Sequence, residues 1–165
     1  MAYRQSRRSD RPSPVTVLTT VAAALIAGAA LGGALHATGN LRTVAGVYGL
    51  EGVVNEWTLV FGHSLVAGGP FVAIVTRLSR GRHVPSPLAE SHRSPFLCAC
   101  VGLSYGAVLW AAIVAYTAPF VFGFVTGDTY PVPFHHWGSF YALLLFGAVF
   151  GAWYPLLRSF FDERR

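Results

Sequence analysis

The stretch "VFGHSLVAGGPFVAIV", Val60–Val75, is apolar enough to lie in lipid, yet it carries a histidine, a serine, paired glycines and a proline. With the residues before it from Trp57, it approaches the ~20 apolar residues a helix needs to cross a ~30 Å hydrocarbon core. Three more stretches of that kind flank it, Val15–Leu35, Phe96–Ala118 and Trp137–Leu157. The chain has 165 residues, of which 12% are charged, against about 25% in an ordinary soluble domain. Most of that charge sits at the start, the middle and the end. The pattern predicts an all-α integral membrane protein, a four-transmembrane-helix bundle.

The basic residues predict its orientation. Arg4, Arg7, Arg8 and Arg11 precede the first span, and Arg77, Arg80, Arg82 and Arg93 lie between the second and third. Arg158, Arg164 and Arg165 follow the fourth, and only Arg42 falls in the opposite connections. A bias of that size places both termini in the cytoplasm of a plasma-membrane protein. The net charge of +5 then serves topology and anionic headgroups, not nucleic acid. The first apolar run is too long for the 7–15-residue core of a signal peptide, so it is expected to remain as an anchor. Cys98 and Cys100 are too few to complete a tetrahedral metal site and are expected to be ordinary helix residues.

The chain also repeats itself. Gly28-x-x-x-Gly32 returns as Gly102-x-x-x-Gly106, and "VYGL" (Val47–Leu50) as "VFGF" (Val121–Phe124), at one offset of 74 residues. Ser13-Pro14 and Ser94-Pro95 both offer a cap residue followed by proline at the first helical position. The expected organisation is two tandem, parallel-repeat helical hairpins at 14–78 and 95–158. A basic tail (1–13), a cytoplasmic loop (79–94) and a second tail (159–165) flank them. Small residues four apart let helix backbones approach closely in lipid. Spans one and three have the glycine pairs named above, span four has Gly147 and Gly151, and span two has Ser64 and Gly68. Pro70 is expected to break or kink span two. The external connections 38–56 and 119–136 are too apolar for free loops and are expected to pack on the mouth of the bundle.

An ionisable side chain inside a span is a functional candidate by default. His63 lies about two turns into span two, with Glu56 seven residues earlier on the same face. His36 continues the Gly28–Gly32 stripe and is expected to face the interior, and His136 precedes Gly147 by three turns. These four form a candidate outer cluster that could hold a metal, ligate haem or relay protons. The same residues near the water interface are also ordinary structural polar groups. The equivalent of His36 in the second hairpin is Trp110, so no two-fold ligand pair is expected. No cofactor is expected. No Asp, Glu or Arg lies in any span core, which argues against a voltage sensor or a carboxylate-coupled pump. No phosphate-binding glycine loop is present. Ser64 and His63, as helix neighbours, point about 100° apart and form no catalytic pair.

Several residues in fixed order carry a resemblance: Tyr48-Gly49, Trp57, His63-Ser64, Tyr105-Gly106, Leu109-Trp110 and Gly147-x-x-x-Gly151-x-x-Tyr154. The chain resembles a family of small four-span haloarchaeal membrane proteins of unknown function, many of which bear the label "histidine kinase". The resemblance covers the four spans and implies their fold and topology. A kinase would need a phosphoacceptor helix and an ATP-binding domain, for which the cytoplasmic segments leave no room. The expected role is a non-enzymatic structural, accessory or sensor-like module acting through helix contacts. The alternatives are a small transporter or pore with an outer pocket around His63, and a metal- or haem-binding redox protein. Expected partners are membrane lipid and either another protein or further copies of this chain.

Overall fold

The computed structural model describes residues 13–80 and 93–163. Most of the basic tail, the 81–92 part of the loop and the last two arginines lie outside the described residues. So do Arg4, Arg7, Arg8, Arg11 and Arg82 of the charge pattern. Helix α1 is Pro14–Ala37, the short α2 is Leu41–Gly46 and α3 is Val53–Arg80. Helix α4 is Pro95–Leu109; it passes through a π-helical segment, Trp110–Thr117, into α5, Ala118–Thr126. Helix α6 is Trp137–Asp162. Among the described residues there is no strand.

Four helices are long and apolar enough to cross a membrane: Pro14–Ala37, Val53–Ser79, Pro95–Thr126 and Trp137–Asp162. By length and composition this is a multi-pass membrane protein. The Ser-Pro signals sit where two of them start. The Ser13 hydroxyl accepts the Thr16 N–H at 3.2 Å and the Ser94 hydroxyl accepts the Leu97 N–H at 3.4 Å. In each case proline takes the first helical position, where a missing N–H leaves nothing unpaired. Pro70 does not interrupt α3, which runs through it as one helix. Span three departs from expectation. It does not stop at Ala118 but continues to Thr126, so the 119–126 part of the expected 119–136 connection is helix.

The helices pack in the order α4, α6, α1, α3, and α3 touches α4 only sparingly. In lipid, apolar surface gains nothing by leaving one hydrocarbon for another, so close packing has to hold the bundle together. The α4–α6 contact is the tightest. A Cβ added at Gly102 would overlap the Gly147 carbonyl, one at Gly106 the Leu143 carbonyl, and one at Gly151 the Cys98 carbonyl. The α1–α3 contact is looser: Gly28 faces the Ser64 side chain and Gly32 makes room for the Trp57 indole. Gly68 lies against Phe150 and Ala24, where spans one, two and four meet.

The seam between α3 and α4 closes at one level, midway along α3. The Tyr105 hydroxyl donates to the Ala67 carbonyl at 2.6 Å, and its ring lies 5.4 Å from that of Phe71. Tyr105→Phe removes that bond without removing the ring. It is expected to destabilise the bundle by about 1 kcal/mol, the net worth of a single hydrogen bond, in reversible unfolding monitored in mixed micelles. No measurable loss would mean that the ring contact alone closes the seam.

Candidate functional site

The end of the bundle opposite the chain termini, here the distal end, carries the connections between α1 and α3 and between α5 and α6. The helical register of span three changes there. Pro119 has no N–H to offer the Ala115 carbonyl four residues earlier, and its ring would crowd that carbonyl in an α-helix. The chain widens to i→i−5 bonding: the Ala118 N–H reaches the Ile113 carbonyl, and the Thr117 hydroxyl donates to the Ala112 carbonyl at 2.7 Å. The Ala115 carbonyl accepts instead from the N–H of Phe134 at 2.8 Å. That bond ties the 127–136 connection onto span three. Beyond the wide segment, α5 packs chiefly on that segment and on none of the long helices to a comparable extent. Gly127, in the left-handed region at φ 78°, ends α5 by donating its N–H to the Gly123 carbonyl.

The space left between α5 and the other helices is a cavity of about 660 Å³. Its walls come from all four spans and both connections, with Leu31, Val60, Ile113 and Leu143 among the apolar residues. Val47 and Tyr48 line it from the turn after α2, and Val121 and Phe122 line it from α5.

His63 is on the wall. Its Nδ1 lies 2.7 Å from the Leu59 carbonyl and its Nε2 lies 2.7 Å from the Tyr48 hydroxyl. A carbonyl can only accept, so Nδ1 carries the proton; in the neutral ring Nε2 is then the acceptor and Tyr48 O–H the donor. Both ring nitrogens are engaged, which leaves no lone pair free for a metal in this arrangement. Ser64 faces elsewhere: it is buried, donates to the Val60 carbonyl at 2.8 Å and packs on Gly28.

His136 also lines the cavity, as the N-cap of α6. Its Nδ1 accepts the Ser139 N–H at 3.2 Å, and the Ser139 hydroxyl donates to the His136 carbonyl at 2.8 Å. The neutral ring therefore holds its proton on Nε2. Trp110 donates its indole N–H to the His136 carbonyl at 3.3 Å and stacks on Trp137 with ring centres 6.3 Å apart.

The proposed outer cluster does not assemble as one group. His63 and His136 share the cavity, but His36 is exposed and lies outside its lining, so it does not face the interior as expected. Glu56 is buried in the first turn of α3 and is also outside the lining. Among the described residues no three His, Cys, Asp or Glu side chains come together as a metal-binding group. Sequence reasoning missed Tyr48 as the partner of His63, although both stood in the residue pattern that carried the family resemblance. Comparison with protein-family models, with curated proteins and with solved structures gave no match.

Proposed function

We propose that this protein is a non-enzymatic, multi-pass membrane module that binds a small molecule in the distal cavity around His63, as a sensor or carrier. The observation that carries this reading is the cavity itself. Its volume falls within the roughly 300–1,000 Å³ of small-molecule sites, which are mostly apolar with a few placed polar groups. The Tyr48–His63 pair supplies such a group on one wall and His136 on another. A bundle acting through helix contacts alone has no need of such a space, so the pocket reading displaces the accessory one. The absence of a free nucleophile–base pair at His63 and Ser64 supports a binding role over a catalytic one.

The topology we propose has both termini in the cytoplasm. Arg77, Arg93 and Arg158 lie towards the terminal end of the described bundle and Arg42 at the distal end, in keeping with the positive-inside rule. The cavity then faces the outer side of the plasma membrane. The chain is further proposed to be two hairpins of one hand, similar to the haloarchaeal four-span family, surrounded by lipid and signalling to a protein partner or a second copy.

Native mass spectrometry on protein released gently from its own membrane tests the binding role. The intact protein is expected to retain a small molecule, with at least tenfold lower occupancy in Val114→Trp, which places an indole in the cavity. A wild-type protein that carries only lipid or another protein would return the accessory reading to first place.

A further inference from the structure

We infer that the cavity takes an uncharged amphiphile, an apolar body bearing one hydrogen-bond-accepting oxygen such as a carbonyl or alcohol, and that this molecule enters sideways from the bilayer between span two and the distal half of span three. The inference rests on the binding role proposed above and deepens it.

Charge decides the ligand class. The lining includes no Asp, Glu, Lys or Arg. An ionised ligand buried among Leu, Val, Ile and Phe with no opposite charge would give up its hydration without compensation, a cost of several kcal/mol or more. The two imidazoles are the only ionisable groups of the lining besides the tyrosines, and His136 Nδ1 accepts the Ser139 N–H, so that nitrogen carries no proton in this arrangement. A phosphate, a carboxylate, an ammonium compound and a metal ion all fit this wall poorly.

The hydrogen-bond inventory decides what the polar end looks like. Most donors of the lining are already engaged within the protein. Tyr48 O–H goes to His63, the Thr117 hydroxyl to the Ala112 carbonyl, the Ser139 hydroxyl to the His136 carbonyl and the Asn40 amide to the Thr38 hydroxyl. The His136 Nε2–H has no partner among the described residues, although its ring lines the cavity. Thr43 also lines the cavity, and its hydroxyl has no hydrogen-bond partner among the described residues. An unpaired donor beside an apolar wall gains most from an acceptor delivered by the ligand. One accepting oxygen on an otherwise apolar molecule meets either donor, and a highly polar molecule would find too few partners.

The route follows from packing. Spans two and three meet at Tyr105 and Ala67, and the distal half of span three scarcely touches α3. Ile113 lines the cavity and is nevertheless 52% exposed, and Val121 lines it at 36%. Accessible wall residues on a stretch of spanning helix that α3 scarcely touches mark the open side of the cavity, and on a spanning helix that side faces lipid. A lipid-soluble molecule reaches the site without crossing water.

The test uses the full chain in nanodiscs and three diazirine probes with the same alkyl chain: an alcohol, a sulfonate and a trimethylammonium. After photolysis the labelled residues are mapped by peptide mass spectrometry. The alcohol is expected to label cavity residues saturably, about tenfold more than either permanently charged analogue. His136→Asn keeps a good helix cap while removing the Nε2–H, and is expected to weaken alcohol labelling about fivefold, the equivalent of one neutral hydrogen bond. An endogenous neutral molecule displaced by the probe would identify a membrane-resident source; saturable labelling of an empty cavity would identify a solute that arrives from outside. Equal or stronger cavity labelling by a charged probe would overturn the neutral class while leaving the binding role standing. If all three probes mark only lipid-facing residues such as Phe124 and Val108, without saturation, the binding role itself fails.

Discussion

Gly102→Leu is expected to prevent α4 and α6 from associating, whereas Gly62→Leu should leave the protein folded. The two differ in what a side chain would meet. At Gly62 nothing lies within 4 Å of an added Cβ. At Gly102 the obstacle is the Gly147 carbonyl and the Gly151 Cα, both main chain of the facing helix. Overpacking a core that can repack by side-chain rotation costs about 1–3 kcal/mol. Here no rotamer change relieves the clash, so the helices must separate along their length and lose the contacts at Gly106 and Gly151 as well. The cost is therefore expected to exceed about 4 kcal/mol, the exceptional range for one substitution. Gly28→Ala is the informative intermediate, because the nearest atom is the Ser64 Oγ at 2.8 Å, a side chain that can turn. The readout is built in: Cys98 is buried and Cys100 exposed, so a membrane-permeant maleimide should modify one thiol in the intact bundle and two in Gly102→Leu. Identical labelling of the two leucine variants would show that the α4–α6 contact is not what holds span three.

Much of this bundle is legible in the sequence because membrane spans are set by local composition. Four apolar runs, two Ser-Pro starts and Trp137 as the first residue of α6 follow from rules that need no tertiary contact. The distal site is less legible, for identifiable reasons. His36 was placed inward by extending the Gly28–Gly32 stripe in steps of four. Each such step advances about 40° beyond a full turn at 3.6 residues per turn, so His36 lies about 80° round the helix from Gly28 and about 40° from Gly32, on the exposed side. The apolar stretch read as span three ends at Ala118, yet the helix continues through Pro119. The wide π segment absorbs the proline, and only the Phe134 N–H, contributed from 19 residues away along the chain, satisfies the Ala115 carbonyl. No pattern within either segment reveals that bond. The Tyr48–His63 pair has the same character: 15 residues separate the partners, and a turn, not a helical period, brings them together.

Phe71→Ala should loosen the level at which spans two and three touch. Phe71 is fully buried, and its ring packs edge-on against Phe150 at 4.8 Å, with Tyr105 at 5.4 Å and Tyr154 at 6.5 Å. In a soluble core, Phe→Ala costs about 3–5 kcal/mol, part of it the transfer of the ring from water. In a bilayer the transfer part largely disappears, because the unpacked ring would sit in lipid as apolar as its site. The packing part remains, so the expected loss is about 2 kcal/mol in reversible unfolding. That is roughly twice the effect of Tyr105→Phe. The two substitutions act on one contact, so they should not be additive. A Phe71→Ala, Tyr105→Phe double variant is expected to lose less than the sum of the single losses, because once the Phe71 ring is gone Tyr105 no longer has a surface that holds its hydroxyl on the Ala67 carbonyl. Strict additivity would mean that the hydrogen bond and the aromatic contact close the seam independently. The seam would then be two separate ties instead of one coupled crossing, and either could open without the other.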